Sequence, residues 1–234
     1  MALTDYEKYI RTEDLLRLQK PQESLSCHDE MQFQIVHQAH ELYMKLIEHE
    51  LRFVATLLSA DETARAITTL GRVARIQRVL LASIELLDTM APTDYMTIRT
   101  GLGRGSGQES PGFKMMMKLP QEVVWPAFAA FLERAGVTLR DLYEHPHDHH
   151  ELFQLAEGLV DYDQLLQMWR QRHLVLVYRI IGTGTPSLKG KHSDLLAHGM
   201  KTRFFPALWD VRDDVYADWT AQQAAKGHEP GYHG

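Results

Sequence analysis

His173 lies in LLQMWRQRHLVLVYRII, a strongly apolar stretch preceded by Arg170 and Arg172. A buried imidazole without a hydrogen-bond partner costs about 1–3 kcal/mol. That position therefore calls for a core hydrogen bond, a substrate or a metal centre. Three further pairs stand one helical turn apart: Trp169 with His173, Phe33 with His37, and Tyr95 with Arg99 just before a glycine-rich stretch. An aromatic ring one turn from a histidine is most often ordinary core packing. The Arg99 guanidinium has the fork geometry that holds a carboxylate bidentately, and the same geometry serves a surface ion pair.

A single imidazole on an apolar helix suits haem better than zinc. Zinc takes three or four protein ligands, whereas haem iron can be held by one proximal histidine with its other face open. Arg170 and Arg172 are cations suited to the propionates of such a group. Other chemistries lack their residues. The chain has no GxSxG, no Walker loop, no CxxC, no HExxH and no pair of ExxH motifs on two long helices. Cys27 is the only cysteine, which excludes an intramolecular disulfide and fits a reducing, cytoplasmic setting. HPHDHH, ending at His150, gathers four histidines around a proline without helical spacing and reads as a solvated turn.

Composition frames these residues. Of 234 residues 44% are hydrophobic and 24% charged, the balance of a globular protein with one sizeable core. The net charge of −6 comes without a basic stripe, which argues against nucleic acid. MALTDYEKYIRTEDLL is charged throughout and is no signal peptide, and no apolar run reaches the roughly 18 residues of a membrane span.

The positioning elements are helical. Residues 12–18 form a short capped helix before Pro21, behind an arm whose Tyr6, Tyr9 and Ile10 form an apolar edge that either rests on the chain's own core or docks on a neighbouring subunit. A long amphipathic helix runs from about Asp29 to Ala60, and a second from Asp61 to Met90. Between Gly101 and Pro111 four glycines and two serines exclude regular structure, and loops of this length are usually functional or disordered. A helix over Gln121–Ala135, the His173 helix closing at Gly182, a second glycine-rich segment and a last helical region complete the chain. The expectation is an all-α bundle with long helices and two glycine-rich loops. It forms one domain over residues 1–234, with an arm over 1–20 and a frayed tail over 222–234.

DEMQFQIVHQAHELYMKLIEHEL, LLDTMAPTDYMTIRTGLGRGSG, LLQMWRQRHLVLVYRIIGTG and FFPALWDVR, in this order, resemble the tryptophan 2,3-dioxygenase family, as does YEKYIRTEDLLRLQ near the N-terminus. The resemblance implies haem b as cofactor, with His173 as its proximal ligand and with Ser106, Gly107, Trp169 and Arg172 beside it. It implies that His37 meets the substrate indole N–H, that Phe33 walls the indole pocket, and that Tyr95 and Arg99 line the pocket and clamp the substrate carboxylate. Tyr6, Tyr9 and Ile10 match an arm that covers a neighbour's site in a homotetramer, a dimer of dimers. The implied reaction inserts O₂ into the indole C2–C3 bond of L-tryptophan to give N-formylkynurenine. The second loop departs from the family. Where it reads GTGGSSG this chain has GTGTPSLKGKHS, so Ser187 takes the position of a threonine hydroxyl while Lys189, Lys191 and His192 replace small residues. In the first loop Gln108 and Glu109 stand where Phe and Gln are expected. These departures leave two alternatives: a haem-dependent monooxygenase acting on a substituted tryptophan or another indole, and a haem-binding helical protein without turnover.

Overall fold

The computed structural model describes residues 3–103, 105, 107–183 and 202–226. Among them every regular element is helical. In chain order the α-helices are α1 (Asp5–Ile10), α2 (Thr12–Leu15), α3 (Asp29–Ser59), α4 (Thr63–Ser83), α5 (Pro92–Gly101), α6 (Pro111–Leu119), α7 (Trp125–Ala135), α8 (Leu139–Glu144), α9 (His150–Ile181) and α10 (Pro206–Ala225). None of the described helices is long and apolar enough to cross a membrane.

Three long helices form the framework, with α4 packed against both α3 and α9. Each turns a stripe of three- and four-residue spacing inward, the repeat that keeps side chains on one helical face. On α3 the stripe is Val36, His40, Met44, Ile47, Leu51, Val54 and Leu58. On α4 it is Ala66, Leu70, Val73, Gln77 and Leu80. On α9 it is Leu155, Leu159, Tyr162, Leu166, Trp169, Leu176 and Ile180. Two buried polar side chains bridge helices. Gln77 Nε2 donates to the Tyr162 carbonyl at 2.9 Å, and Tyr162 Oη donates to the Met116 carbonyl at 3.0 Å.

The second long helix is shorter than the expected Asp61–Met90. Asp61 takes a left-handed φ of 58° and the α-helix starts at Thr63. At the other end, Ser83 Oγ donates to the Leu80 carbonyl at 2.9 Å, and Ile84–Thr89 tighten into a 3-10 helix. A side chain that competes for helical carbonyls favours such an ending. Met90 is extended, and Pro92 then opens α5 at a position where its missing N–H costs nothing.

The MMMKLP segment is helical as α6, and it continues without a break into α7 through a π-helical turn at Pro120–Val124. Prolines at 120 and 126 remove backbone donors within the run, and a wider turn accommodates them. The mostly exposed HPHDHH stretch is the turn between α8 and α9, closing as α9 begins at His150. The last helix runs to Ala225, into the tail expected to fray from Gln222. Its start is held by buried Asp163 on α9. Oδ2 of that residue accepts from the Phe204 and Phe205 backbone N–H groups at 2.9 and 3.4 Å and from Trp209 Nε1 at 2.9 Å.

Candidate functional site

Ring contacts link residues of α3, α5, α6 and α9 into one cluster. Phe33 and His37 share a face of α3, with ring centroids 4.0 Å apart. Tyr95 on α5 approaches Phe33 at 6.3 Å. Farther along α3, His40 lies 6.5 Å from His37 and 6.1 Å from Trp169 of α9, meeting the indole edge-on. Trp169 stacks nearly parallel on His173, at 5.6 Å and 16°, and Phe113 of α6 packs on its indole at 5.8 Å.

His37 and His173 are crowded by protein yet reachable by solvent: His37 counts as exposed and His173 as half-buried. Burial lowers the His37 pKa below 6.5, against a backbone hydrogen bond to Phe33 and the Glu41 charge, which raise it. Burial takes His173 and His40 down to about 4, helped by the repulsion a proton there would meet from a protonated His37 and, for His40, from a protonated His173. All three rings are therefore neutral at pH 7. His37 Nδ1 lies 2.7 Å from the Phe33 carbonyl oxygen. A carbonyl only accepts, so Nδ1 carries the proton and Nε2 holds the lone pair.

Tyr95 and Arg99 follow one another on α5, both half-buried. Burial raises the Tyr95 pKa above 10.0 and the Arg99 charge opposes that rise, so the phenol stays protonated. The placement of α5 is set by the 3-10 segment before it. Gln32 of α3 donates to the Leu86 carbonyl at 2.8 Å, while Arg172 and Arg179 of α9 bind the Asp88 side chain and its carbonyl oxygen. Arg172 is thus paired with Asp88, and Arg170 turns to Gln167 at 3.4 Å. Phe33 also lines a cavity of about 420 Å³ with Leu18, Lys20, Glu30, Ile98 and Leu102.

Gly107 opens a 3-10 turn over Gly107–Glu109 that delivers Ser110 to α3. There the Glu41 carboxylate accepts from Ser110 Oγ and from Gly112 N at 3.0 Å, capping α6. Gly112 is required for this approach, because a Cβ would stand 2.7 Å from Met44 Cβ and 2.8 Å from Glu41 Oε2. Tyr6, Tyr9 and Ile10 sit on α1, which buries none of its residues. They are 71%, 89% and 40% exposed and are not brought to this chain's own cluster. Ser106 and Ser187 lie outside the described residues.

Sequence reasoning passed over His40, Glu41, Asp88 and Phe113. His40 carried the plainest signal, a third histidine one turn beyond His37 on the inward stripe. The donor set fits a metal brought in by a cofactor. His173 offers a neutral imidazole on an apolar helix face, and Trp169 Nε1 is a buried donor with no hydrogen-bond partner among the described residues. Among those residues no group of three or more His, Cys, Asp or Glu is arranged to hold a bare ion.

Comparison with known proteins accords with this geometry. A family model described as tryptophan 2,3-dioxygenase matches residues 1–120, and a tryptophan 2,3-dioxygenase of Caulobacter vibrioides is 32% identical over 257 aligned positions, covering 88% of this chain and 97% of the relative. The chain belongs to the tryptophan 2,3-dioxygenase family. Proteins of the same name from Erythrobacter litoralis and Serratia proteamaculans are 33% and 29% identical, over 90% and 91% of this chain and 98% and 93% of theirs. Membership in the tryptophan 2,3-dioxygenase family carries a general dependence on haem.

Proposed function

We propose that this chain is a haem-dependent dioxygenase that opens the pyrrole ring of L-tryptophan to N-formylkynurenine. The observation that carries the reading is the His37 tautomer: with Nδ1–H committed to the Phe33 carbonyl, Nε2 offers a neutral acceptor close enough to His173 for the two rings to interact electrostatically. An indole N–H is a donor of matching kind. The reaction adds both atoms of O₂ across the indole C2–C3 bond and consumes no external reductant. The relatives' names support this over insertion of a single oxygen atom.

His173 would hold haem b through its unprotonated ring nitrogen, and the cofactor would supply the activation of O₂. Trp169 Nε1 offers a hydrogen bond to the cofactor, and Arg172 a guanidinium held in place by Asp88. Ser106 and Gly107 belong to the loop beside its open face. His37 would take the indole N–H on Nε2, fixing which edge of the ring faces the oxygen. Phe33 and Tyr95 would hold the indole plane between aromatic walls. Arg99 would bind the carboxylate and Ser187 the ammonium end. Such positioning converts binding into rate by removing orientational freedom before reaction.

The arm extends the site beyond one chain. Tyr6, Tyr9 and Ile10 would cover the site of a neighbouring copy, making the working form a homotetramer of single-domain chains in the cytoplasm. Haem titration tests the reading. The reduced protein should give the spectrum of a histidine-ligated haem, and His173→Ala should lose it. No uptake of haem by the parent protein would overturn it.

A further inference from the structure

We propose that His40 is a positioning residue for His173, acting through Trp169; this rests on the reading of His173 as the haem ligand. His40 is buried at 9% exposure, and its Nε2 lies 2.6 Å from Ser83 Oγ. The Ser83 hydroxyl hydrogen is already given to the Leu80 carbonyl at 2.9 Å. Ser83 Oγ therefore accepts, and His40 Nε2–H donates. Such a chain of hydrogen bonds ends on a carbonyl and offers no route for a proton, which excludes a relay. What it fixes is orientation: the His40 ring is pinned between α3 and the end of α4.

From that anchored position His40 meets Trp169 edge-on, at 6.1 Å and 63°, while Phe113 packs on the same indole at 5.8 Å. Trp169 Nε1 has no hydrogen-bond partner among the described residues, and there the indole is held by packing, these ring contacts included. The indole in turn lies parallel to His173, at 5.6 Å and 16°. A parallel stack restrains the plane of the stacked ring. For an iron-bound imidazole, that plane sets how the ligand sits over the metal, the kind of control that groups behind a ligand exert. His40 touches neither iron nor substrate in this scheme. It sets the ring that sets the ligand.

In the haem-loaded ferrous protein the iron–histidine stretching band, read by resonance Raman, reports this geometry independently of turnover. His40→Ala is expected to displace and broaden the band and to weaken haem binding about 10–100-fold. Ser83→Ala, which removes the acceptor, should produce a smaller displacement in the same direction, and His40→Phe, which keeps a ring edge on Trp169 but loses the bond to Ser83, should match it. His173→Ala separates the two levels of the claim: a band that survives it overturns the ligand assignment and this proposal together. With the band lost in His173→Ala, an unchanged band in His40→Ala overturns the positioning role alone. If His40→Ala does not fold, an unchanged band in Ser83→Ala does so.

Discussion

His37 packs against Phe33 at 4.0 Å between ring centroids, tilted by 34°, and donates its Nδ1–H to that residue's carbonyl at 2.7 Å, so one residue holds both the ring and the tautomer of the other. The backbone of α3 thereby dictates which nitrogen is left as the acceptor. A hydrogen bond to that nitrogen is one of the few polar contacts an indole can make.

Replacing His37 by Phe keeps the aromatic packing and removes the acceptor. We expect kcat/KM for L-tryptophan to fall about 10–100-fold, the consequence of losing a hydrogen bond worth about 1–3 kcal/mol. The parent should discriminate against tryptophan methylated on the indole nitrogen, and the variant should discriminate far less. Steady-state kinetics on both substrates checks this; a discrimination ratio unchanged by the substitution would remove His37 from the indole contact.

Acid should destabilise the haem-free chain in a defined window. Burial holds His40 and His173 at about 4 in the folded state, against an ordinary value of 6.5. Between those values the unfolded chain binds more protons, so stability is complete above 6.5 and declines as pH falls towards 4. Glu30 adds a second loss below 4.5. Its carboxylate is held at about 2 by Lys20 first and then by the Ser26 backbone and hydroxyl. Denaturant midpoints measured at closely spaced pH values should slope downward through this range. A flat profile between 6.5 and 4 would mean that these imidazoles protonate freely in the folded protein.

Gly112→Ala should disturb the site from a distance. The added methyl meets Met44 Cβ, which cannot rotate away, and the capping Glu41 carboxylate. Overpacking of this sort costs about 1–3 kcal/mol. Because Phe113 on the same turn packs on Trp169, haem binding should weaken as well. Thermal unfolding together with haem titration separates the two effects; a variant as stable as the parent would show that α6 can shift freely.

The arm offers a different test. Gln19 and Gln38 bond at 2.6 Å, and the Lys20 N–H reaches Gln34 Oε1 at 2.9 Å, so these ties to α3 lie beyond the exposed tyrosines. Replacing Tyr6 and Tyr9 by serine should leave the helical signal and unfolding midpoint of the chain intact while lowering its assembly state or its affinity for substrate. Sedimentation with parallel kinetics reads both, and no change in either would place the arm outside the working site.

Much of this arrangement was legible in the sequence, for identifiable reasons. The long α3 and α9 announce themselves by three- and four-residue spacing sustained over 31 and 32 residues. Phe33 with His37 and Trp169 with His173 are one-turn pairs whose proximity follows from helix geometry. Contacts between helices were not legible: nothing in the spacing brings His40 to Trp169 or Phe113 to the same indole. The 3-10 break after Ser83 was missed because LLASIELL continues an acceptable helical pattern. Its fate is settled by Gln32 on α3 and by Arg172 and Arg179 on α9, residues remote in sequence. The join of α6 to α7 was hidden by prolines that normally end helices.

Turnover of L-tryptophan under isotopically labelled O₂, followed by mass analysis of the product, tests the central assignment most directly. The reduced, haem-loaded protein is expected to yield a product carrying two labelled oxygen atoms, and His173→Ala to yield none. A product with one labelled oxygen, or no product from a fully haem-loaded parent protein, would contradict it.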